Sequence, residues 1–428
     1  MGTNVASGSG LALTQYSTAV TAQIVRAPGN LNAMTGPAPK QSQAEAAMKQ
    51  QTSPEMPFVR ITDLSTDPSG DKVTVDAFNV VGGKPIMGDR NAEGMGKPLS
   101  SSSFDLKIDL ATFNVDAGGK MSRQRTRHEL RGIAKAAVAG YFPRMVWQRG
   151  IVHCAGARGQ QVGSSWDLPL DTDPDFEEIM VNPLKAPTYN RHLVVDGNNF
   201  VRGGQQLGSI DSTDKWKLAL LDNLALWLES LDTKVPSPKF TGDEQGTDAP
   251  LKGVLLLPPG SYNDLITDMS TGNNLRNFLS LVEQRQKYAK DSAIFRGECG
   301  IWRGILVKKV DHTIFHNAGA AVRYVAAADR LTGNESSVNV AAIGPGHQIE
   351  RAVLLGAQSL ARAEGASNSG VQAAIIENTY NAGRNFEYLG EFMGGEAKFR
   401  LKYANENGDP EPTENIVVID AASPKVGV

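Results

Sequence analysis

The densest chemistry in this 428-residue chain is a run of carboxylates with no cation among them: Asp167, Asp171, Asp173, Asp175, Glu177 and Glu178. Acids spaced this way could hold a hard divalent cation, and Asp171-Thr-Asp173-Pro-Asp175 begins as a calcium loop does. The continuation breaks the pattern. Phe176 stands where the turn glycine belongs and Asn182 where a bidentate glutamate would close the site, so an EF-hand is excluded. Joined by His192, the same acids could serve a divalent-metal hydrolase, which would be a monomer or small oligomer. His312 and His316 share an H-x-x-x-H spacing but lack the zincin glutamate, and read as structural histidines. Cys154, beside His153, reads as a buried structural thiol, because neighbours in sequence do not make a poised thiolate. Gly344-Pro345-Gly346 lacks the lysine of a phosphate loop, and GASNSG (Gly365 to Gly370) is one residue too long for a nucleophile elbow. No catalytic constellation emerges, and no metal or cofactor site is assigned.

The opposite charge is concentrated in Lys120 to Ile151. Lys120, Arg123, Arg125, Arg127, Arg131 and Lys135 face only Glu129 there. Arg123, Arg127 and Arg131 fall one helical turn apart, beside an apolar stripe of Leu130, Ile133, Ala134, Ala137 and Tyr141. The spacing predicts a long helix whose regular part is kinked or ended by Pro143. Arginines at a helix start oppose the macrodipole, at roughly 0.3–1 kcal/mol each. The acidic run is the expected compensation, within the chain or across a boundary between copies. The expected contact residues are therefore Arg123, Arg127, Arg131, Asp171, Asp173, Asp175, Glu177 and Glu178.

The elements around these charges follow from pattern. Residues 1–55 are nearly uncharged and rich in small polar residues, with a short helix at Gln41 to Gln51. They read as an unfolded tail or as an arm laid on a neighbour. FVRITDL, KVTVDAFNVV and FDLKIDLATFNV alternate as strands do, and the long Gly- and Lys-rich stretch between them reads as the tip of a projecting hairpin. Arg158 to Asp211 reads as irregular. A helix over about Thr213 to Leu231 carries Trp216, Leu220, Leu224, Trp227, Leu228 and Leu231 as its core stripe. VLLL reads as a buried strand leading into a helix capped by Ser261. A helix around Leu275 to Val282 follows, then strands at Ala293 to Arg296, Ile301 to Val310, Ala320 to Ala327 and Val338 to Ile343. A helix from His347 to Glu364 presents Ile349, Val353, Gly356 and Leu360, with Gly365 as C-cap. VQAAIIE, FEYLGEFM, AKFRLKY and NIVVIDA return to strands.

The totals limit the function. The net charge of -3 argues against a dedicated duplex-DNA binder. Cys154 and Cys299 make no disulfide framework, and no apolar run is long enough to span a membrane. These features fit a soluble, reduced, cytoplasmic protein. Hydrophobic residues at 40% with 44 glycines suggest modest cores with many turns and extended segments, in an α+β fold.

Five blocks, in order, carry a resemblance. They are MSRQRTRHELRGIAKAAV, APLKGVLLLPPGSYNDL, FRGECGIWRGILVKKV (with Gly297, Gly300 and Gly304), RAVLLGAQSLARAEG, and FMGGEAKFRL followed by IVVIDA. Together they resemble the coliphage N-four type capsid family, among the tailed-bacteriophage major capsid proteins of Hong Kong 97-like fold. The first 120 residues match in layout. The resemblance implies an N-terminal arm (1–55), an extended loop (56–119), a peripheral domain with a spine helix (120–250), an axial domain (251–375) and returning peripheral strands (376–428). It implies a structural, non-enzymatic subunit, assembled in the bacterial host cytoplasm into pentamers and hexamers of a virion capsid. Its implied partners are itself, a separate scaffolding protein, a portal, possible cement proteins and packaged double-stranded DNA, with no membrane. A bacterial nanocompartment shell is the alternative within the same fold.

Overall fold

Two β-sheets and one helix that packs against both organise the chain. The computed structural model describes residues 34–37, 56–61, 64, 70–78, 85–88, 93–96, 101–119, 130–163, 166–238, 251–270, 299–311, 314–344, 346–366, 373–380, 382–404 and 410–425. The expected helices at Gln41 to Gln51 and Leu275 to Val282, the strand at Ala293 to Arg296, and His312 lie outside them, as do Arg123 and Arg127. In chain order the elements are β1 (Thr35–Pro37), β2 (Phe58–Ile61), β3 (Lys72–Phe78), β4 (Ser101–Lys107), β5 (Asp109–Gly119), α1 (Leu130–Ala155), α2 (Phe176–Met180), β6 (His192–Asp196), β7 (Asn199–Arg202) and α3 (Leu218–Ser230). They continue with β8 (Gly253–Leu257), α4 (Pro259–Ser270), β9 (Cys299–Trp302), β10 (Ile305–Lys309), β11 (Ile314–His316), β12 (Ala321–Val325), β13 (Glu335–Asn339), β14 (His347–Leu355) and β15 (Leu360–Glu364). The last are β16 (Ala373–Tyr380), β17 (Asn385–Lys398), β18 (Arg400–Ala404), β19 (Pro410–Glu414) and β20 (Ile416–Pro424).

The larger sheet runs β7-β6-β20-β14-β8-β10-β9, with β11 also on β14. Its central strands are apolar almost throughout because both faces are covered. Val254, Leu256, Val353, Leu355, Ile416 and Val418 join the core that contains α1. Their alternate neighbours Leu255, Leu257, Leu354, Val417 and Ile419 pack with Leu220, Leu221, Leu224 and Leu228 of α3. Each fully buried leucine contributes roughly 1.5–3 kcal/mol, so this double coverage dominates the sheet's stability. Among the described residues, no helix is long and apolar enough to cross a membrane.

This double burial overturns the helix expected from His347 to Glu364. The segment is two strands. β14 pairs along nine residues with β20, from His347↔Pro424 to Leu355↔Ile416, and with β8 on its other edge. β15 crosses to the second sheet, parallel to β2 and antiparallel to β17. A strand buried on both faces has no polar alternation, and its apolar run mimics a helical stripe.

The second sheet runs β1-β2-β15-β17-β16, with β5 on the other edge of β17. Within the first 55 residues, Thr35–Pro37 pairs parallel to β2 and Met34 is buried. α1 crosses β17 closely enough that a Cβ on Gly390 would lie 2.4 Å from Val138 and 2.6 Å from Phe142. Tyr141 stacks on Phe113 of β5, with centroids 3.9 Å apart.

The helix departs from its sequence reading in its extent past Pro143 and in its buried stripe. Pro143 does not end α1, which continues to Ala155. The lost hydrogen bond is outweighed because Met145, Val146, Trp147, Ile151 and Val152 are all buried beyond it. The buried stripe is Ala134, Val138 and Phe142, while Ile133 is 56% exposed and Ala137 faces solvent. Elsewhere, β6, β7 and α2 occupy part of the stretch read as irregular. Trp216 is buried and Trp227 half-buried, and α3 begins at Leu218, whose N–H donates to Asp268 of α4 at 2.9 Å. Ser261 is no N-cap: it lies inside α4, and its N–H and hydroxyl both donate to Glu350 of β14 at 2.8 and 2.9 Å. That buried carboxylate satisfies the helix start in place of a cap.

Candidate assembly surface

The ribbon β3–β4 pairs Lys72↔Lys107 at one end and Phe78↔Ser101 at the other. Its base is fixed. Leu106 is fully buried, and Phe104 packs on Phe399 with centroids 5.1 Å apart. The Asn182 side chain accepts from the Lys107 N–H at 2.9 Å and donates to the Lys107 carbonyl at 3.0 Å, completing the anchor. Between the two strands lie Ile86, Met87 and Met95, large apolar side chains in solvent, with Met87 69% and Met95 64% exposed. Exposed methionines on an anchored ribbon suit an adaptable apolar contact, since the unbranched thioether fits many surfaces.

Arg123 and Arg127 lie outside the described residues, and Arg131 does not meet the acidic run within the chain. Arg131 pairs with Glu377 of β16, donates to the Tyr388 hydroxyl at 3.1 Å, and lies 4.1 Å over the Phe386 ring. Of the acidic run, Asp167 is the member that takes an α1 cation: Arg144 donates to it at 2.6 Å. Asp171, Asp173, Asp175, Glu177 and Glu178 are exposed. Phe176, between them, and Met180, just after them, are buried and tie the segment to the core. The Asp173 carboxylate accepts from the Asp175 N–H at 3.0 Å, which fixes the turn. The structure therefore presents a rigidly anchored acidic ridge, separate from Arg131.

The polar groups inside the subunit are structural. Arg351 of β14 makes a two-pronged contact with Asp420 of β20 at 2.7 and 2.8 Å, and donates to the Ala155 carbonyl at 3.0 Å. His192 of β6 meets the same carboxylate at 2.6 Å. Burial alone would raise Asp420, but Arg351 and His192 together hold it well below the usual carboxylate range. His192 itself is lowered, chiefly by burial, against the pull of Asp420. A second network links α1 to the other sheet: Arg149 to Glu396, Arg362 to Glu396 and Glu364, and Arg60 to Glu364. A third joins Lys398 to Glu414 at 3.0 Å, with Arg400 on the same carboxylate. Asp420 in NIVVIDA was visible as a lone ion in an apolar run, the signal by which its network could have been found.

Burial pushes His153 and His316 down to about 3, so both are neutral near pH 7. Burial pushes the Cys154 thiol up to about 12, which leaves it inert. His192 pairs with Asp420, not with the acidic run it would join in a hydrolase. Among the described residues no three His, Cys, Asp or Glu side chains are grouped to hold a metal ion.

A family model described as "Phage capsid protein" matches residues 4–425 of the sequence. No curated protein matches the chain. Among solved structures, the capsid of Ralstonia phage GP4 aligns with a TM-score of 0.68 at 19% identity, covering 94% of this chain and 92% of that one. The cyanophage Pam1 capsid aligns at 0.56 and 17% identity, with 88% and 90% covered. The capsid of Helicobacter pylori bacteriophage KHP30 aligns at 0.54 and 12% identity, with 93% and 91% covered.

Proposed function

This chain belongs to the phage capsid protein family, and we propose that its copies close into pentamers and hexamers of an icosahedral shell around phage double-stranded DNA. It is a major capsid subunit of Hong Kong 97-like fold, a structural protein. The observation that carries the assembly reading is the anchored ribbon with Ile86, Met87 and Met95 exposed between its strands. A subunit that buries such residues on neighbours gains the large apolar interfaces that obligate assemblies need, upwards of roughly 2,000 Å². The ribbon serves as the extended loop (56–119), residues 1–55 as the arm, 120–250 and 376–428 as the peripheral domain, and 251–375 as the axial domain. Assembly takes place in the host cytoplasm with a separate scaffolding protein and a portal. The net charge of -3 suits a wall that contacts packed DNA without adhering to it.

In this reading the acidic ridge meets the cationic segment that leads into α1 on a neighbouring copy. Arg123 and Arg127 would face Asp171, Asp173, Asp175, Glu177 and Glu178 across the boundary, with Arg131, held on its own subunit by Glu377, beside them. The support is the exposure of those five acids together with the rigid anchoring of their backbone by Phe176 and Met180. An exposed pair contributes only about 0–1 kcal/mol, but a shell repeats it at every equivalent contact. Arg127→Glu should then lower assembly yield while leaving subunit melting unchanged, and Asp173→Lys or Glu177→Lys should partly restore the yield. Sedimentation at several salt concentrations reads this out. Unchanged assembly and unchanged salt dependence in Arg127→Glu would dismiss the contact.

A further inference from the structure

A polar pocket of about 130 Å³ lies among the turn before β6, the end of α3 and strand β19. Asn190, Arg191, Arg202, Thr233, Arg330 and Glu411 contribute to its wall. Arg191 is 1% exposed. Its Nη2 donates to the Thr233 carbonyl at 2.6 Å, while Nε and Nη1 have no acceptor. A buried donor left unsatisfied costs about 1–3 kcal/mol, and more when it is charged. Glu411 accepts from the Asn190 amide, and with Glu414 it favours the charged form of Arg191 through space, but neither carboxylate is hydrogen-bonded to Nε or Nη1. Burial pushes Arg191 down to about 10, so it remains a cation at neutral pH. Among the lining residues three guanidinium groups stand against Asp232 and Glu411, and the nearby Glu414 is already engaged by Lys398 and Arg400, which leaves the wall net positive.

We propose that this pocket is a binding site for a small oxyanion, a phosphate or a carboxylate, held by Arg191, Arg202 and Arg330. Guanidinium groups are matched to such ligands, because several oxygen lone pairs accept from their planar N–H arrays while the charge is neutralised. A neutral water satisfies a donor but leaves the excess of positive charge. The anion has two possible sources: a free ion, or an acidic side chain of a second copy. The site itself stands independently of the shell reading.

The test uses the full chain as isolated subunits, melted in sodium phosphate and in sodium chloride at matched ionic strength. Phosphate should raise Tm saturably above the chloride value. Arg202→Gln with Arg330→Gln, at an exposed and a half-buried position respectively, should retain the chloride Tm and lose at least half of the phosphate increment. Equal Tm in the two salts, or an increment that survives in the double variant, would overturn the proposal. A second arm assigns the source. Saturating phosphate should lower assembly yield if a neighbour's carboxylate is the natural occupant, and leave it equal or raised if a free anion is.

Discussion

Replacing Asp420 by asparagine removes one negative charge from a position closed to water. Asp420 and Arg351 both have side chains 0% exposed, and the two-pronged contact at 2.7 and 2.8 Å is joined by His192 at 2.6 Å. Asparagine keeps the shape but leaves the Arg351 guanidinium buried without an anion, which costs roughly 3–5 kcal/mol. That is a large part of a total stability of about 5–15 kcal/mol. Urea unfolding of isolated subunits, followed by the buried Trp147 and Trp216, measures it. With a slope of about 3 kcal/mol/M, the midpoint should fall by about 1–1.7 M. Adding Arg351→Met removes the stranded cation, so the double variant should regain most of the loss. A loss below about 1 kcal/mol for Asp420→Asn would refute the reasoning. So would a double variant whose loss equals the sum of the two singles.

Gly390→Ala should destabilise the subunit by about 1–3 kcal/mol in the same assay, because the new methyl meets Val138 and Phe142 of α1. Gly140→Ala, at an exposed helical position with open space around the new methyl, should stabilise by about 0.5–1 kcal/mol. Acidification should destabilise the subunit. His153 and His316 have folded pKa values of about 3 against 6.5, so below about pH 6.5 the unfolded chain binds protons that the folded chain refuses. Each contributes a loss of up to roughly 1.4 kcal/mol per pH unit between those values. Asp264, raised to about 6 mainly by burial, acts in the opposite sense between about pH 6 and 4, weakened by its partial exposure. Tm should therefore fall from pH 7 to 5, and His316→Gln should flatten that fall; a Tm that rises would contradict the sign. Met87→Glu with Met95→Glu should leave Tm unchanged and reduce assembly yield at least several-fold, and equal assembly would remove the ribbon tip from the interface.

The sequence was most readable where one face of an element meets water. The alternation in KVTVDAF and FDLK identified the ribbon, and the leucines of α3 lie where their spacing places them. It was least readable where burial is two-sided. RAVLLGAQSLARAEG satisfies helical spacing, yet β14 lies between α1 and α3 and β15 belongs to another sheet, a distinction only tertiary partners make. The exposed acids were legible as a cluster. The partner of Arg131 was not, since Glu377 lies 246 residues further along and reaches it through the pairing of β16 with β17. The Arg191 pocket left no local signal at all: its wall is drawn from segments near residues 190, 232, 330 and 411.

The most direct test of the capsid account is electron microscopy combined with sedimentation of the full chain, expressed alone and together with the scaffolding and portal proteins that the account proposes. The account predicts megadalton icosahedral particles whose pentamers and hexamers consist of this chain. A soluble monomer or small oligomer under those conditions, at low and high salt alike, would contradict it.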